Sequence, residues 1–203
     1  MVIKYFIIFS SLLVGAILLM QLVKFFAIKA NIFIDIPNQR SSHPKPVPRC
    51  GGIPIILIFF CASLFFIDFQ NLSLLGFFVG GLVIALVGLL DDIVNLRGGW
   101  KIIGMCLASL LPLLFGVNLQ NLDLAGNNQL IVSILSFIWI YGMINAFNFM
   151  DGIDGLIGGV AAIGGIFLFI LAVIIGNGFV AICALILSST CLGFLFFNLS
   201  PAS

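Results

Sequence analysis

The sequence predicts an all-α fold: a polytopic membrane helix bundle of about seven transmembrane helices, forming one transmembrane domain over 1–203. Three observations carry this expectation. The 203 residues are 63% hydrophobic and only 7% charged, whereas soluble domains are roughly 45–50% apolar and ~25% charged. The apolar residues fall into runs that approach or exceed the ~20 residues a helix needs to cross a bilayer core. The polar stretches between these runs are too short to build a second domain.

Read in order, the predicted spans are 5–28, 53–69, 74–90, 102–118, 130–147, 156–175 and 179–197. The first follows Lys4 and is too long for a signal-peptide core. It also lacks a small-residue cleavage site, so it is expected to stay in place as a span. The connectors are then 29–52, 70–73, 91–101, 119–129, 148–155 and 176–178. Lys29, Arg40, Lys45 and Arg49 lie in the first connector, where Lys24 can also snorkel, and Arg97 and Lys101 lie in the third. Alternating spans put both connectors on one side, and the excess of Lys and Arg marks that side as cytoplasmic. Only Lys4 falls on the other side, so the N-terminus is expected outside.

Several function classes drop out early. A net charge of +1 argues against nucleic acid as a partner. Cys61, Cys106, Cys183 and Cys191 lie in apolar runs and Cys50 in a polar loop, with no zinc or redox spacing. Glycine pairs inside spans, such as Gly80–Gly81, Gly158–Gly159 and Gly164–Gly165, suit close helix packing. All seven acidic residues are Asp. The pairs Asp91–Asp92 and Asp151/Asp154 fall on the same predicted face as the basic loops.

Three stretches carry candidate chemistry. DIPNQRSSHPKPVPRCGGIP, residues 35–54, holds five prolines, which preclude a regular helix. It presents Arg40, His43, Lys45 and Arg49 on a stiff chain, as a phosphate-bearing ligand would require. The same cations would equally suit lipid headgroups. GLLDDIVNLRGGWK, residues 88–101, places two carboxylates at a span end, with Asn95 one turn on from both and Lys101 close by. Oxygen ligands of this kind suit Mg²⁺, and Lys101 could neutralise a phosphate. The alternative is a polar helix cap with the acids paired to Arg97 and Lys101. In NAFNFMDGIDGL, residues 145–156, Asn145, Asn148, Asp151 and Asp154 are each three apart. On a continuing helix they would form one stripe of oxygen-bearing groups for a metal or a nucleobase. A stripe of this kind beside hydrocarbon is expensive without a use.

At these residues the chain resembles the polyprenyl-phosphate N-acetylhexosamine-1-phosphate transferases. The first cytoplasmic loop, the GLLDD pair after the third span, NAFNFMDGIDGLIGG after the fifth and GFLFFNLSPAS at the end of the seventh all match in order. The resemblance implies phosphosugar transfer at the cytoplasmic face of the bacterial inner membrane, from a UDP-N-acetylhexosamine to a polyprenyl phosphate, with Mg²⁺ as cofactor. It implies that Asp91 and Asp92 act on the acceptor phosphate and that Lys101 contacts phosphate. It further implies that Asn148 contacts the metal or the diphosphate, and that Asp151 and Asp154 lie at the donor, Asp154 near uracil. Asn95 is a candidate metal ligand from its place beside the acid pair, not from the resemblance. Arg40, Arg49 and Asn145 join the substrate-binding set.

There are departures from the family pattern. Asn95 stands where many bacterial members carry Asp or Lys. The family's FxGDxGS segment, a later cytoplasmic loop and further spans do not follow Ser203. The expectation from this is a C-terminally truncated member with little or no turnover by itself, with an inactive remnant as the alternative. An ion-coupled transporter ranks lower, because the acids sit at span ends and the halves do not repeat. A CDP-alcohol phosphotransferase is excluded because DGIDGLIGG lacks the DGxxAR signature.

Overall fold

The computed structural model describes residues 2–30, 32, 34–35, 47–48, 50–66, 71–119, 128–150 and 153–199. Among these, seven helices follow in order: α1 Val2–Ala30, α2 Gly52–Leu64, α3 Leu72–Val94, α4 Gly98–Leu114, α5 Gln129–Met150, α6 Leu156–Ile175 and α7 Gly178–Asn198. A two-residue antiparallel ladder, β1 Ile34–Asp35 with β2 Val47–Pro48, lies in the proline-rich connector. The protein is an all-α membrane helix bundle. Five helices, α1, α3, α5, α6 and α7, are long and apolar enough to cross a membrane. The other two, α2 and α4, are apolar but shorter, with 13 and 17 residues. At 1.5 Å per residue they reach about 20 and 26 Å, short of the ~30 Å hydrocarbon core.

The helix ends have identifiable causes. Asn71 accepts from Leu74 N–H at 3.3 Å, Asn128 from Leu130 N–H at 3.1 Å, and Asn177 from Val180 N–H at 3.1 Å. Each amide oxygen thereby takes one of the donors that an α-helix leaves unpaired in its first turn. At the far end of α3 the helix runs four residues past the predicted limit at 90, to Val94. Asn95 then turns left-handed, with φ 48°, and its N–H bonds to the Asp91 carbonyl.

The described residues form two compact units, 1–67 with 150–203, and 68–149. In the first, α7 packs against α1, α2 and α6. Ala181, Ala184, Leu185, Ile186 and Cys191 on α7 are buried, as are Ser188, Ser189 and Thr190. Each buried hydroxyl on α7 is satisfied. Ser189 and Thr190 donate back to Ile186 O, and Ser188 Oγ donates across to Ala162 O on α6 at 3.1 Å. Close approach of the two helices depends on glycine. A Cβ at Gly165 would lie 3.0 Å from Ser188 Cβ and 3.1 Å from the Ala184 carbonyl. Tyr5 of α1 meets Phe169 of α6 edge-on, with ring centroids 5.2 Å apart.

In the second unit α3 packs on α4. A Cβ at Gly80 would lie 2.6 Å from Pro112 Cγ and 2.9 Å from the Ala108 carbonyl. Small residues at such contacts let helix backbones meet where lipid removes any hydrophobic drive to associate.

Gly165→Val should therefore destabilise the protein by about 1–3 kcal/mol in denaturation by SDS in mixed micelles. Gly164→Val, where an added Cβ meets nothing within 4 Å, should leave stability unchanged. Equal effects of the two would remove the packing role assigned to Gly165.

Candidate active site

The α3–α4 turn gives the clearest geometry. Asp91 lies in the last turn of α3, and both its carboxylate oxygens are engaged. Oδ1 accepts from Leu96 N–H at 3.1 Å, and Oδ2 accepts from Lys101 Nζ at 2.7 Å. The Lys101 and Asp91 side chains are 28% and 26% exposed, so the pair is mostly shielded. Fully exposed pairs contribute about 0–1 kcal/mol. Here the charge pair is reinforced by a backbone bond that closes the turn, so Asp91 both caps the turn and fixes Lys101.

The structure thus brings Asp91 and Lys101 together, as the cap-and-pair alternative anticipated for these residues. Asp92 is half-buried beside them. Asn95 departs from the expected helical placement. It is an exposed, left-handed C-cap residue, a conformation that asparagine tolerates better than most residues. Its N–H still closes the turn from Asp91, as the spacing implied, but its own backbone has left the helical conformation.

The amide–acid row also needs correction. Asn145 and Asn148, both half-buried, share a face in the last turns of α5. The helix ends at Met150, however, and 153–155 form a turn before α6 begins at Leu156. Gly155 adopts φ 75°. Asp154 therefore does not continue the stripe of Asn145 and Asn148. Asp91, Asp92, Asn95, Lys101, Asn145 and Asn148 belong to the 68–149 unit, and Asp154 belongs to the other. Arg40, His43, Lys45, Arg49 and Asp151 lie outside the described residues.

One residue went unremarked in the sequence. Asn198, the last residue of α7, accepts a hydrogen bond from Gly155 N–H at 2.8 Å, across 43 residues. Its signal in the sequence was its place in GFLFFNLSPAS, a stretch that carried the resemblance but no residue-level role.

No group of three or more His, Cys, Asp or Glu is placed to hold a metal among the described residues. Mg²⁺ needs less than that, since it keeps several waters and uses one or two carboxylates. The Asp91–Asp92 pair has donors of the right kind. A cation reaching Asp91 Oδ2 would have to share it with the Lys101 ammonium.

An apolar cavity of about 400 Å³ lies within the 68–149 unit, bounded by residues of α3, α4 and α5 that include Phe77, Ile84, Pro112 and Trp139. Neither acid of the pair nor Lys101 lines it. Its walls suit hydrocarbon rather than phosphate.

Residues 74–203, well over half the chain, match glycosyl transferase family 4. The chain belongs to that family. The match takes in the α3–α4 turn, both α5 asparagines and Asp154. Relatives in the family include a Bacillus subtilis protein named "Probable undecaprenyl-phosphate N-acetylglucosaminyl 1-phosphate transferase", 28% identical over 94% of this chain and 54% of its own length. The Thermotoga maritima undecaprenyl-phosphate alpha-N-acetylglucosaminyl 1-phosphate transferase is 32% identical over 66% of this chain and 41% of its own. A Petrotoga mobilis phospho-N-acetylmuramoyl-pentapeptide-transferase is 33% identical over 79% of this chain and 55% of its own. The chain spans about half the length of the curated relatives it matches.

Asp91→Asn keeps an acceptor for Leu96 N–H and loses the charge, whereas Asp91→Ala loses both. Asp91→Ala should be less stable than Asp91→Asn by about 1 kcal/mol in the SDS assay. Equal stabilities would show that the Leu96 bond contributes nothing.

Proposed function

We propose that this family 4 protein takes part in transfer of a phospho-N-acetylhexosamine from a UDP-sugar to a polyprenyl phosphate, at the cytoplasmic face of a bacterial plasma membrane. The observation that carries this reading is the α3–α4 turn, where two adjacent carboxylates and a fixed lysine sit at the end of a membrane helix. The names of the relatives support the acceptor class and the sugar phosphate. The clustering of Lys and Arg in the first and third connectors supports the cytoplasmic side.

In this reaction an oxygen of the lipid phosphate attacks the β-phosphorus of the donor. The bond from that phosphorus to the α–β bridging oxygen breaks, and UMP leaves. Such transfer depends chiefly on in-line positioning and on neutralising charge. In the proposed roles, Asp92 with Asp91 orients the acceptor phosphate, and Lys101 meets the donor diphosphate as a point charge. Asn145 and Asn148 supply amide contacts from α5. Asp154 takes the donor's nucleoside end, with Asp151, Arg40 and Arg49 completing the substrate-binding set. Mg²⁺, held by the Asp pair and Asn148 with waters, would supply further neutralisation of phosphate charge. The apolar cavity offers the kind of surface an isoprenoid chain requires.

The test is calorimetric titration of the detergent-purified chain with UDP-N-acetylglucosamine in the presence of Mg²⁺. Saturable binding is expected, weakened about 10-fold or more by Lys101→Met, as loss of a charge-assisted hydrogen bond implies. Absence of saturable binding by the unaltered protein would overturn the reading. Binding that is indifferent to Lys101→Met would remove that lysine from the site.

A further inference from the structure

We propose that Asn198 is a positioning residue that sets the orientation of Asp154, acting through the backbone of Gly155. The inference rests on the donor-binding role given to Asp154 above.

Gly155 N–H donates to Asn198 Oδ1 at 2.8 Å in a half-buried position. That N–H belongs to the same rigid peptide unit as the Asp154 carbonyl, because the Asp154–Gly155 bond is planar. Holding the N–H therefore holds the plane in which the Asp154 Cα lies, and so restricts the direction in which the Asp154 side chain leaves the turn. Gly155 itself has φ 75°, which glycine adopts without strain, so the turn can present this N–H to Asn198 at no conformational cost.

The anchor is itself well held. Leu199 N–H bonds to the Leu195 carbonyl at 2.9 Å, closing the last turn of α7 around Asn198. The two helices meet closely at this end. A Cβ at Gly158 would lie 3.0 Å from Phe194 Cδ1 and 3.1 Å from Leu195 Cδ2, and one at Gly155 would lie 3.2 Å from Leu199 Cδ2. This contact brings a side chain as short as Asn within reach of the turn. Leu and Ala have no acceptor to offer, whereas Asp keeps one at the same distance.

Three variants and four readouts test the proposal on the whole chain in detergent. Asn198→Ala should speed hydrogen exchange at Gly155 N–H by about 10-fold or more and move the Asp154 carboxyl ¹³C signal. Asn198→Asp should preserve the protection. Gly164→Ala, a change in open space on the same pair of helices, should affect neither readout. Asn198→Ala should also weaken UDP-N-acetylglucosamine binding about 10-fold while leaving the unfolding midpoint near that of the unaltered protein. Unchanged exchange or an unmoved Asp154 signal in Asn198→Ala would overturn the proposal. So would normal donor binding despite both changes. Failure of the unaltered protein to bind the donor would instead count against the transferase reading, leaving the exchange and carboxyl results to decide whether Asn198 sets the turn.

Discussion

The close approach of α6 to α7 is the constraint on which the first unit depends. In hydrocarbon, helices gain nothing from burying apolar surface against one another rather than against lipid. Association must come from van der Waals contact and from hydrogen bonds between helices. Gly158 and Gly165 let the backbones come near enough for both. At mid-helix the approach allows Ser188 to donate to the Ala162 carbonyl. At the helix ends it allows Asn198 to reach Gly155. A larger residue at either glycine would separate the partners of both bonds together. Of the buried hydroxyls on α7, Ser188 alone depends on that approach, whereas Ser189 and Thr190 are satisfied by the Ile186 carbonyl of their own helix.

The second unit solves the same problem with different residues. Gly76, Gly80 and Gly104 allow α3 to lie against α4, and Pro112 fills the space opposite Gly80. Pro112 has no N–H to give to Ala108, so a helical carbonyl is relieved of its usual donor near the glycine contact. At the turn that follows α3, the connection is closed by charge rather than by packing. Asp91 takes the Leu96 N–H and the Lys101 ammonium at once. An ion pair is a reasonable device there, because partial exposure leaves both charges hydrated enough to avoid the penalty of full burial.

The spans were legible because composition and run length decide them, and the span predicted over 156–175 coincides with α6. The asparagine caps at 71, 128 and 177 follow the ordinary preference for short acceptors at helix starts. What could not be read was where polar residues end a helix. Asp91 and Asp92 stay helical because the last turn of α3 can carry charge at the interface, so α3 outruns its apolar stretch. Asn148 and Asp154 look periodic, but α5 ends at Met150 and Asp154 lies in the turn before α6. The Asp91–Lys101 contact is short, and it is compatible with both local readings of these residues. The Asn198–Gly155 bond joins residues 43 apart in sequence, and no local pattern encodes a contact that depends on how two helices meet.

The placement of polar groups along the helices follows from the same solvent argument. A charged side chain at the bilayer centre costs roughly 2.5–3.5 kcal/mol even on permissive scales. The described carboxylates avoid that position: Asp91 and Asp92 occupy the last turn of α3, and Asp154 occupies the turn before α6. Asn145 and Asn148 likewise lie in the closing turns of α5. A reaction between a water-soluble nucleotide and a lipid-borne phosphate imposes the same restriction independently, since the two reacting groups can meet only where water and headgroups meet. Stability and the proposed chemistry therefore demand the same thing of this sequence: polar residues gathered at helix ends, held there by short bonds to neighbouring backbone, with apolar helices between.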